Sequence, residues 1–275
     1  MLSKGIRHPV NAIRFILSTI EGKEETAWFF SSEIGKDYGV TAHDKSELIK
    51  RFQENVYSIK CASAWQEHLE MAAAIFSVPP SMQGAVLECG CFKGTSTANL
   101  SLACRLANRK LYVCDSFDGL PAPSPDDTVH STVYTPRSVR YKKGQYRASL
   151  EEVQQNITRY GCIEVCQFVK GWFEDTLPHL NNLPLILISL DVDLNSSLRT
   201  CLKYLWPRLQ VGSKLFSHEA QDLDFISLFF DNAWWQSTLG ETAPGFIGAG
   251  CGLPGYGRRG LGCGYVIKPQ RGMNQ

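Results

Sequence analysis

At 275 residues the chain exceeds a typical single domain, although α/β enzymes of this length commonly form one domain with an extension. A composition of 44% hydrophobic and 20% charged residues is that of a globular protein and excludes disorder as the default. A formal charge of +1 excludes a general attraction to nucleic acid or an anionic membrane, so the expected partner is a small molecule at a local site.

Residues 1–80 read as a helical extension that closes over the rest as a lid. Its first apolar run, Val10 to Ile20, is interrupted by Asn11 and Arg14. That makes it too short and too polar for a signal core or a membrane span, but apolar enough to pair subunits in a homo-oligomer. Asp44 with Glu47 resembles a capping box, opening a helix with Leu48, Phe52, Val56 and Ile59 at helical spacing. A second helix is expected from Ser63, with Trp65, Leu69, Ala72 and Phe76 on one face, and Pro79-Pro80 ends it.

From residue 81 onward strands alternate with helices. Ala85 to Cys89 and Leu111 to Cys114 are short apolar strands around a helix from Thr95 to Ala107. A long polar stretch, 121–147, reads as a loop and ends in Arg137, Arg140, Lys142, Lys143 and Arg147, either a solvated face or a clamp for an anionic substrate. Ser149 and Glu152 open a helix that Gly161 stops. Ile163 to Val169 and Leu185 to Leu190 are apolar enough for buried parallel strands. Leu198, Cys201, Leu202, Leu205, Trp206 and Leu209 form a helical stripe that Pro207 kinks or ends. Ser213 to Ser217 is the next strand, followed by a helix marked by Leu223, Ile226, Phe229 and Phe230. Two strands are expected in the Gly-rich tail, at Gly245 to Ala249 and Leu261 to Ile267. The alternation predicts an α/β fold with a doubly wound, mostly parallel sheet over 81–275.

Ten cysteines could form a disulfide framework, but the chain is long and shows no secretory signal. Cys104, Cys114, Cys166 and Cys201 sit in apolar runs as small hydrophobes, and Cys89, Cys91, Cys251 and Cys263 do not complete a zinc pattern. A cytoplasmic location follows, in which the sequons at Asn156 and Asn195 carry no meaning.

Chemistry collects at strand ends. The first strand runs into Glu88-Cys89-Gly90-Cys91-Phe92-Lys93-Gly94, where glycine lets the backbone bend sharply and a ligand approach closely. The second ends in Asp115, about 20 residues beyond that turn, where an acid can accept both ribose hydroxyls of a nucleoside cofactor. The strand at 185–190 delivers Asp191-Val192-Asp193 to the edge where open α/β sheets bind ligands. Two such acids suit a hard divalent cation or a proton acceptor, while Asp193 or Asn195 can also simply cap a helix. Ser217-His218-Glu219 ends the next strand and brings a base or ligand to the same edge.

These residues and their surroundings resemble the macrocin O-methyltransferase (TylF-like) family, class I enzymes that use S-adenosyl-L-methionine to methylate sugar hydroxyls. The matching stretches are Val86 to Ser96, Val113 to Pro121, Lys170 to Pro178, and Leu190 to Leu194 with Tyr204 to Leu209, within residues 82–220. The resemblance implies a Rossmann-like methyltransferase domain and a small-molecule hydroxyl acceptor. It places Glu88 and Gly90, with Thr95, Ser96 and Asp191, around the cofactor. Asp115 with Ser116 would hold the ribose, and Gly171-Trp172 would face the adenine. Asp191 and Glu219 would ligate Mg²⁺, and Asp193 or His218 would take the acceptor's proton. Where the family carries two consecutive aspartates this chain is aligned with Glu219-Ala220, so a third ligand falls to His218, Asp222 or Asp224. The family's Tyr after D-x-D-L is Asn195 here. Two rivals stand beside this reading. A glycosyltransferase would use Asp191-Val192-Asp193 on a metal-bound nucleotide sugar, and a non-catalytic protein would bind the cofactor without turnover.

Overall fold

The computed structural model describes residues 26–124, 127, 141–180, 182–253 and 262–270. The run Val10 to Ile20 and the basic residues Arg137 and Arg140 lie outside them.

Short apolar runs set the sheet. β1 (Ala85–Cys89), β2 (Leu111–Asp115), β3 (Cys166–Lys170), β4 (Leu185–Leu190), β5 (Leu209–Ser217) and β6 (Gly264–Ile267) lie in the order β3-β2-β1-β4-β5-β6. The first five are parallel, and β6 returns antiparallel, pairing Ser217 with Gly264 and Lys214 with Ile267. Central β1 and β4 are buried at every residue, as strands covered on both faces must be. The chain builds outward from β1 to β3 and then crosses back to β4 on the other side of β1. That reversal opens a crevice at the carboxyl ends of β1 and β4, the place where doubly wound sheets bind ligands.

Helices α1 (Ala42–Ser58), α2 (Trp65–Ser77), α3 (Thr95–Leu106) and α4 (Leu150–Tyr160) precede or connect the first three strands. Phe52, Trp65, Leu69, Ile75 and Phe76 from the first two join Leu100, Val113 and Leu187 in one core. Each such side chain contributes roughly 1.5–3 kcal/mol by leaving water, so the N-terminal helices are a structural layer over the sheet. The other face is covered by α5 (Phe173–Thr176), α6 (Asn195–Leu205), α7 (Leu223–Ser227) and α8 (Asn232–Leu239). There Trp206 and Trp235 meet edge to face at 4.9 Å, over Leu185, Ile188 and Leu190. Among the described residues no helix is long and apolar enough to cross a membrane.

Several local expectations shift. The capping box of α1 is Thr41 with Asp44, three residues ahead of Asp44 with Glu47. The Asp44 N–H donates to Thr41 Oγ1 at 3.2 Å and the Thr41 N–H to Asp44 Oδ2 at 2.8 Å. α2 starts at Trp65, with Glu67 accepting the Ala64 N–H at 2.9 Å. Ile163–Val165 form a 3-10 turn, so β3 starts only at Cys166, and Pro207 sits in the 3-10 turn Trp206–Arg208 that ends α6. β5 begins at Leu209 rather than Ser213. The helix marked by Leu223, Ile226, Phe229 and Phe230 is one turn of α7 followed by a 3-10 turn, Leu228–Phe230, and Leu223 and Phe230 are 44% and 55% exposed. Gly245 to Ala249 is not a strand: it makes a single bridge, Ile247 to Tyr265, and the left-handed Gly245, Gly248, Gly250 and Gly252 break the extension.

The N-terminus of α6 is capped by neither Asp193 nor Asn195. Buried Asp127, from the long loop, accepts the Ser196 N–H at 3.1 Å and its hydroxyl at 2.8 Å. Burial opposes its charge, but these bonds and those from Ser124 hold the carboxyl below its usual range. The loop is thereby fastened to the helix that follows the D-x-D.

Candidate functional site

A cavity of about 370 Å³ opens at the carboxyl edge of the parallel strands. Gly90, Thr95, Ser96, Asp115, Ser116, Gly171, Trp172, Asp191, Asp193, His218 and Glu219 all line it. Glu88, expected on the wall, is not among the lining residues. Only 1% exposed, it sits behind the wall and accepts the hydroxyls of Ser96 and Thr97. Burial pushes its carboxyl up to about 7 against those two bonds.

The β1 turn is folded tightly against β4. Gly90 has φ 82°, and a Cβ there would lie 1.9 Å from the Asp191 carbonyl oxygen, so no other residue fits. Phe92 takes φ 44° in the same turn, a conformation costly for a bulky side chain and sustained by its surroundings. Asp115 closes this half. Its Oδ2 accepts the Cys91 N–H at 2.8 Å and its Oδ1 the Phe117 N–H at 2.7 Å. Each oxygen keeps a lone pair, so the carboxylate is fixed in orientation yet able to accept from a ligand. Ser116 shapes the following turn by donating to the Gly119 carbonyl at 2.9 Å. Gly171 donates to the Asp115 carbonyl at 3.0 Å, which sets Trp172 beside the same space. Thr95 is buried and reaches the Ile59 carbonyl at 3.4 Å, tying the α3 start to the segment after α1.

The other half collects acids. Asp191, Asp193 and Glu219 each offer an oxygen within 4.8 Å of the other two. Asp193 stands at φ 57°, and Glu219 Oε1 receives the N–H groups of Val192 at 3.2 Å and Asp193 at 3.1 Å. Asp193 is the third member of this cluster, which does not include the expected alternatives His218, Asp222 and Asp224. Asp222 instead caps α7 through the Asp224 and Phe225 N–H groups. Burial, then the charges of Asp191 and Asp193, push Glu219 up to about 8. Asp191, its side chain 42% exposed to the cavity, is raised by desolvation, opposed by His218.

His218 stands between two carboxylates, Nε2 at 3.5 Å from Glu67 and Nδ1 at 3.6 Å from Asp191. Burial would lower the imidazole, but Asp191, Glu67 and Glu219 outweigh it and hold the ring well above the usual histidine range. Glu67 is 1% exposed and also accepts the N–H groups of Ala64 at 2.9 Å and Cys263 at 3.1 Å.

Sequence reasoning missed Glu67, Tyr141, Tyr146 and the segment Lys60–Ser63, all but the first on the cavity wall. Burial, then Asp193 and Glu219, push the Tyr141 phenol far up, and Tyr141 hydrogen-bonds Asp193. Tyr146 lies 5.7 Å from the Phe92 ring, edge on, and 6.4 Å from Tyr141. The available signal was two tyrosines closing a long polar loop, and for Glu67 a carboxylate in the first turn of α2.

The chain matches the family model described as Macrocin-O-methyltransferase (TylF) over residues 65–217. The match starts in α2, ahead of the expected residue 82, and includes Glu67. Among curated proteins, an 8-demethyl-8-(2,3-dimethoxy-alpha-L-rhamnosyl)-tetracenomycin-C 4'-O-methyltransferase of Streptomyces olivaceus is 29% identical over 183 residues, 65% of this chain and 63% of that one. A mycinamicin III 3''-O-methyltransferase of Micromonospora griseorubida is 28% identical over 190 residues, 66% of each chain. The chain thus spans just under two thirds of these relatives. Among solved structures, the O-methyltransferase NovP superposes with a TM-score of 0.53 at 21% identity, over 69% of this chain and 74% of that one. The calicheamicin methyltransferase CalS11 gives 0.50 at 16%, over 95% and 93%. These two share the doubly wound fold.

Proposed function

The chain belongs to the macrocin O-methyltransferase family, and from that premise we propose that it transfers the methyl group of S-adenosylmethionine to a hydroxyl of a small molecule. The observation that carries this is the single cavity joining a fixed Asp115 and Trp172 at one end to Asp191, Asp193 and Glu219 at the other. A sugar hydroxyl is the acceptor we favour, since one relative is named for a substrate bearing a rhamnosyl group. A D-x-D glycosyltransferase leaves Asp115 and the β1 turn without a role, and the family match runs across both. Ten free thiols fit a reducing, cytoplasmic compartment.

In this reading Asp115 accepts the ribose hydroxyls, held in place by the Cys91 and Phe117 N–H groups. The flat indole of Trp172 lies against the adenine. Glu88 acts from behind, by fixing Ser96. The protein's main contribution is alignment of acceptor oxygen, methyl group and sulfur, with Tyr141, Tyr146 and residues 60–63 excluding water. Asp193 takes the hydroxyl proton. His218, kept charged by Asp191 and Glu67, orients Asp191 rather than serving as the base.

Three clustered carboxylates, one of them raised by burial and then by the other two, are a hard-oxygen donor set short of positive charge, and they fit a cation such as Mg²⁺. Asp191, Asp193 and Glu219 would hold it. When bound, such an ion lowers the pKa of an acceptor hydroxyl.

The test of the cofactor assignment is Asp115→Ala. Removing a charged acceptor of two hydrogen bonds is expected to weaken S-adenosylhomocysteine by about a hundredfold or more in calorimetry. Unchanged affinity would sink the assignment.

A further inference from the structure

Two aromatic residues on the cavity wall sit where the backbone favours glycine. Phe92, in the turn after β1, has φ 44°, and Tyr146, at the end of the long loop, has φ 58°. A bulky side chain in the left-handed region is strained, and a glycine at either position would not be. The two strained residues meet: their rings stand edge to face, with centroids 5.7 Å apart. Such strain collects where a side chain must be held in one place for a ligand.

Tyr146 is held from both sides. The Gln145 carbonyl before it accepts the Leu120 N–H at 2.8 Å, and the Leu120 carbonyl accepts the Gly144 N–H at 2.9 Å. Arg147 after it pairs with Asp118 at 3.0 Å. Phe92 is braced in turn, because Lys93 Nζ lies 5.8 Å from its ring centroid and is itself paired with Glu152. Tyr146 nevertheless keeps 42% of its surface open. A fixed, half-open aromatic ring on a cavity wall is a receptor for another apolar face.

The neighbouring rings define the shape of that face. Phe92 stands at 76° to Tyr146, and Tyr141, 6.4 Å away, stands at 60°. Neither is parallel to Tyr146, so this wall offers a single ring face and no slot for a flat aromatic guest. A pyranose suits a single face. Its axial C–H bonds carry partial positive charge and rest on the negative face of the aromatic ring, while its hydroxyls radiate from the edge. A partner for those hydroxyls is close by: Tyr141 hydrogen-bonds Asp193, and burial, then the Asp193 charge, raise the Tyr146 phenol.

We propose that Tyr146, braced by Phe92, is an acceptor-binding platform on which a pyranose stacks, turning an edge hydroxyl toward Asp193. The proposal rests on the methyl-transfer reading above and adds the residue that selects a puckered, hydroxylated ring over a flat phenol. Ligand-observed NMR titrations with methyl α-L-rhamnopyranoside and with 4-methylphenol, each with and without S-adenosylhomocysteine, test it. The wild type should bind the glycoside more tightly than the phenol. Tyr146→Ala should weaken the glycoside about tenfold, whereas Tyr146→Phe, which keeps the ring, should stay within about threefold of the wild type. S-adenosylhomocysteine affinity, read by calorimetry, should be unchanged in both. Tyr146→Gly removes the ring and the backbone strain together, so it should melt no lower than Tyr146→Ala while losing the glycoside as fully. Failure of the wild type to bind the glycoside, tighter binding of the phenol, unchanged glycoside affinity in Tyr146→Ala, or equal weakening of S-adenosylhomocysteine overturns the proposal. A wild type that binds the glycoside but not S-adenosylhomocysteine overturns the cofactor reading instead.

Discussion

The two halves of the cavity are built on opposite electrostatic terms. At the ends of β1 and β2, Asp115 and the buried Glu88 have their charges or hydroxyl partners supplied by the protein itself, through backbone N–H groups and the Ser96 and Thr97 side chains. At the ends of β4 and β5, three carboxylates face one another, offset by His218, the Tyr141 and Ser217 hydroxyls and the Val192 and Asp193 N–H groups. A half that is satisfied before anything binds is a rigid receptor. A half that repels itself is waiting for positive charge or for a proton, which is where acid–base chemistry belongs.

The comparison can be broken most severely at the seam between the halves. Gly90→Ala puts a methyl group into the Asp191 carbonyl and demands φ 82° of an alanine. A loss of several kcal/mol is expected in denaturant unfolding, of the order of a strained backbone plus an overpacked core; a variant of wild-type stability would show that the halves are not rigidly joined. The next effect is a pH dependence confined to the acidic half. Glu219 is raised from 4.5 to about 8 in the folded chain, so the stability it contributes is complete below about pH 4.5 and is lost as pH rises through 8. The melting temperature measured in chelator should therefore fall across that window. In Glu219→Gln the slope should flatten, and Mg²⁺ should flatten it in the wild type. An identical slope in wild type and variant would assign the repulsion elsewhere. The smallest effect lies outside both halves. Asp127→Ala removes the α6 cap and should cost about 1 kcal/mol in a thermal melt with unchanged S-adenosylhomocysteine affinity. A drop in affinity would mean that the loop cap also shapes the receptor half.

How much of this the sequence foretold differs between the same two halves. Asp115 and Asp191 were legible because each ends an apolar run, and a parallel strand delivers its last residue to the ligand edge regardless of details elsewhere. The third carboxylate was sought after β5, because strand ends locate residues but not their dihedrals. The positive φ of Asp193, which lets its N–H and that of Val192 converge on Glu219, is invisible in composition. Glu88 was expected on the wall, but strand alternation does not say which side of a covered sheet holds two hydroxyls in wait. Glu67 and Tyr141 were missed for a different reason. Each reaches the site from an element whose path over the sheet is set by packing, not by local pattern. The tail failed locally, where alternating glycines mimicked a strand yet adopted left-handed turns.

Glu67 carries a consequence for how the cavity is completed. Its carboxylate receives N–H groups from Ala64, three residues away, and from Cys263, 196 residues away, and it faces His218 as well. A buried carboxylate short of partners is costly. The buried side of the cavity's acidic edge is thus complete only with the polypeptide's late segment seated against α2.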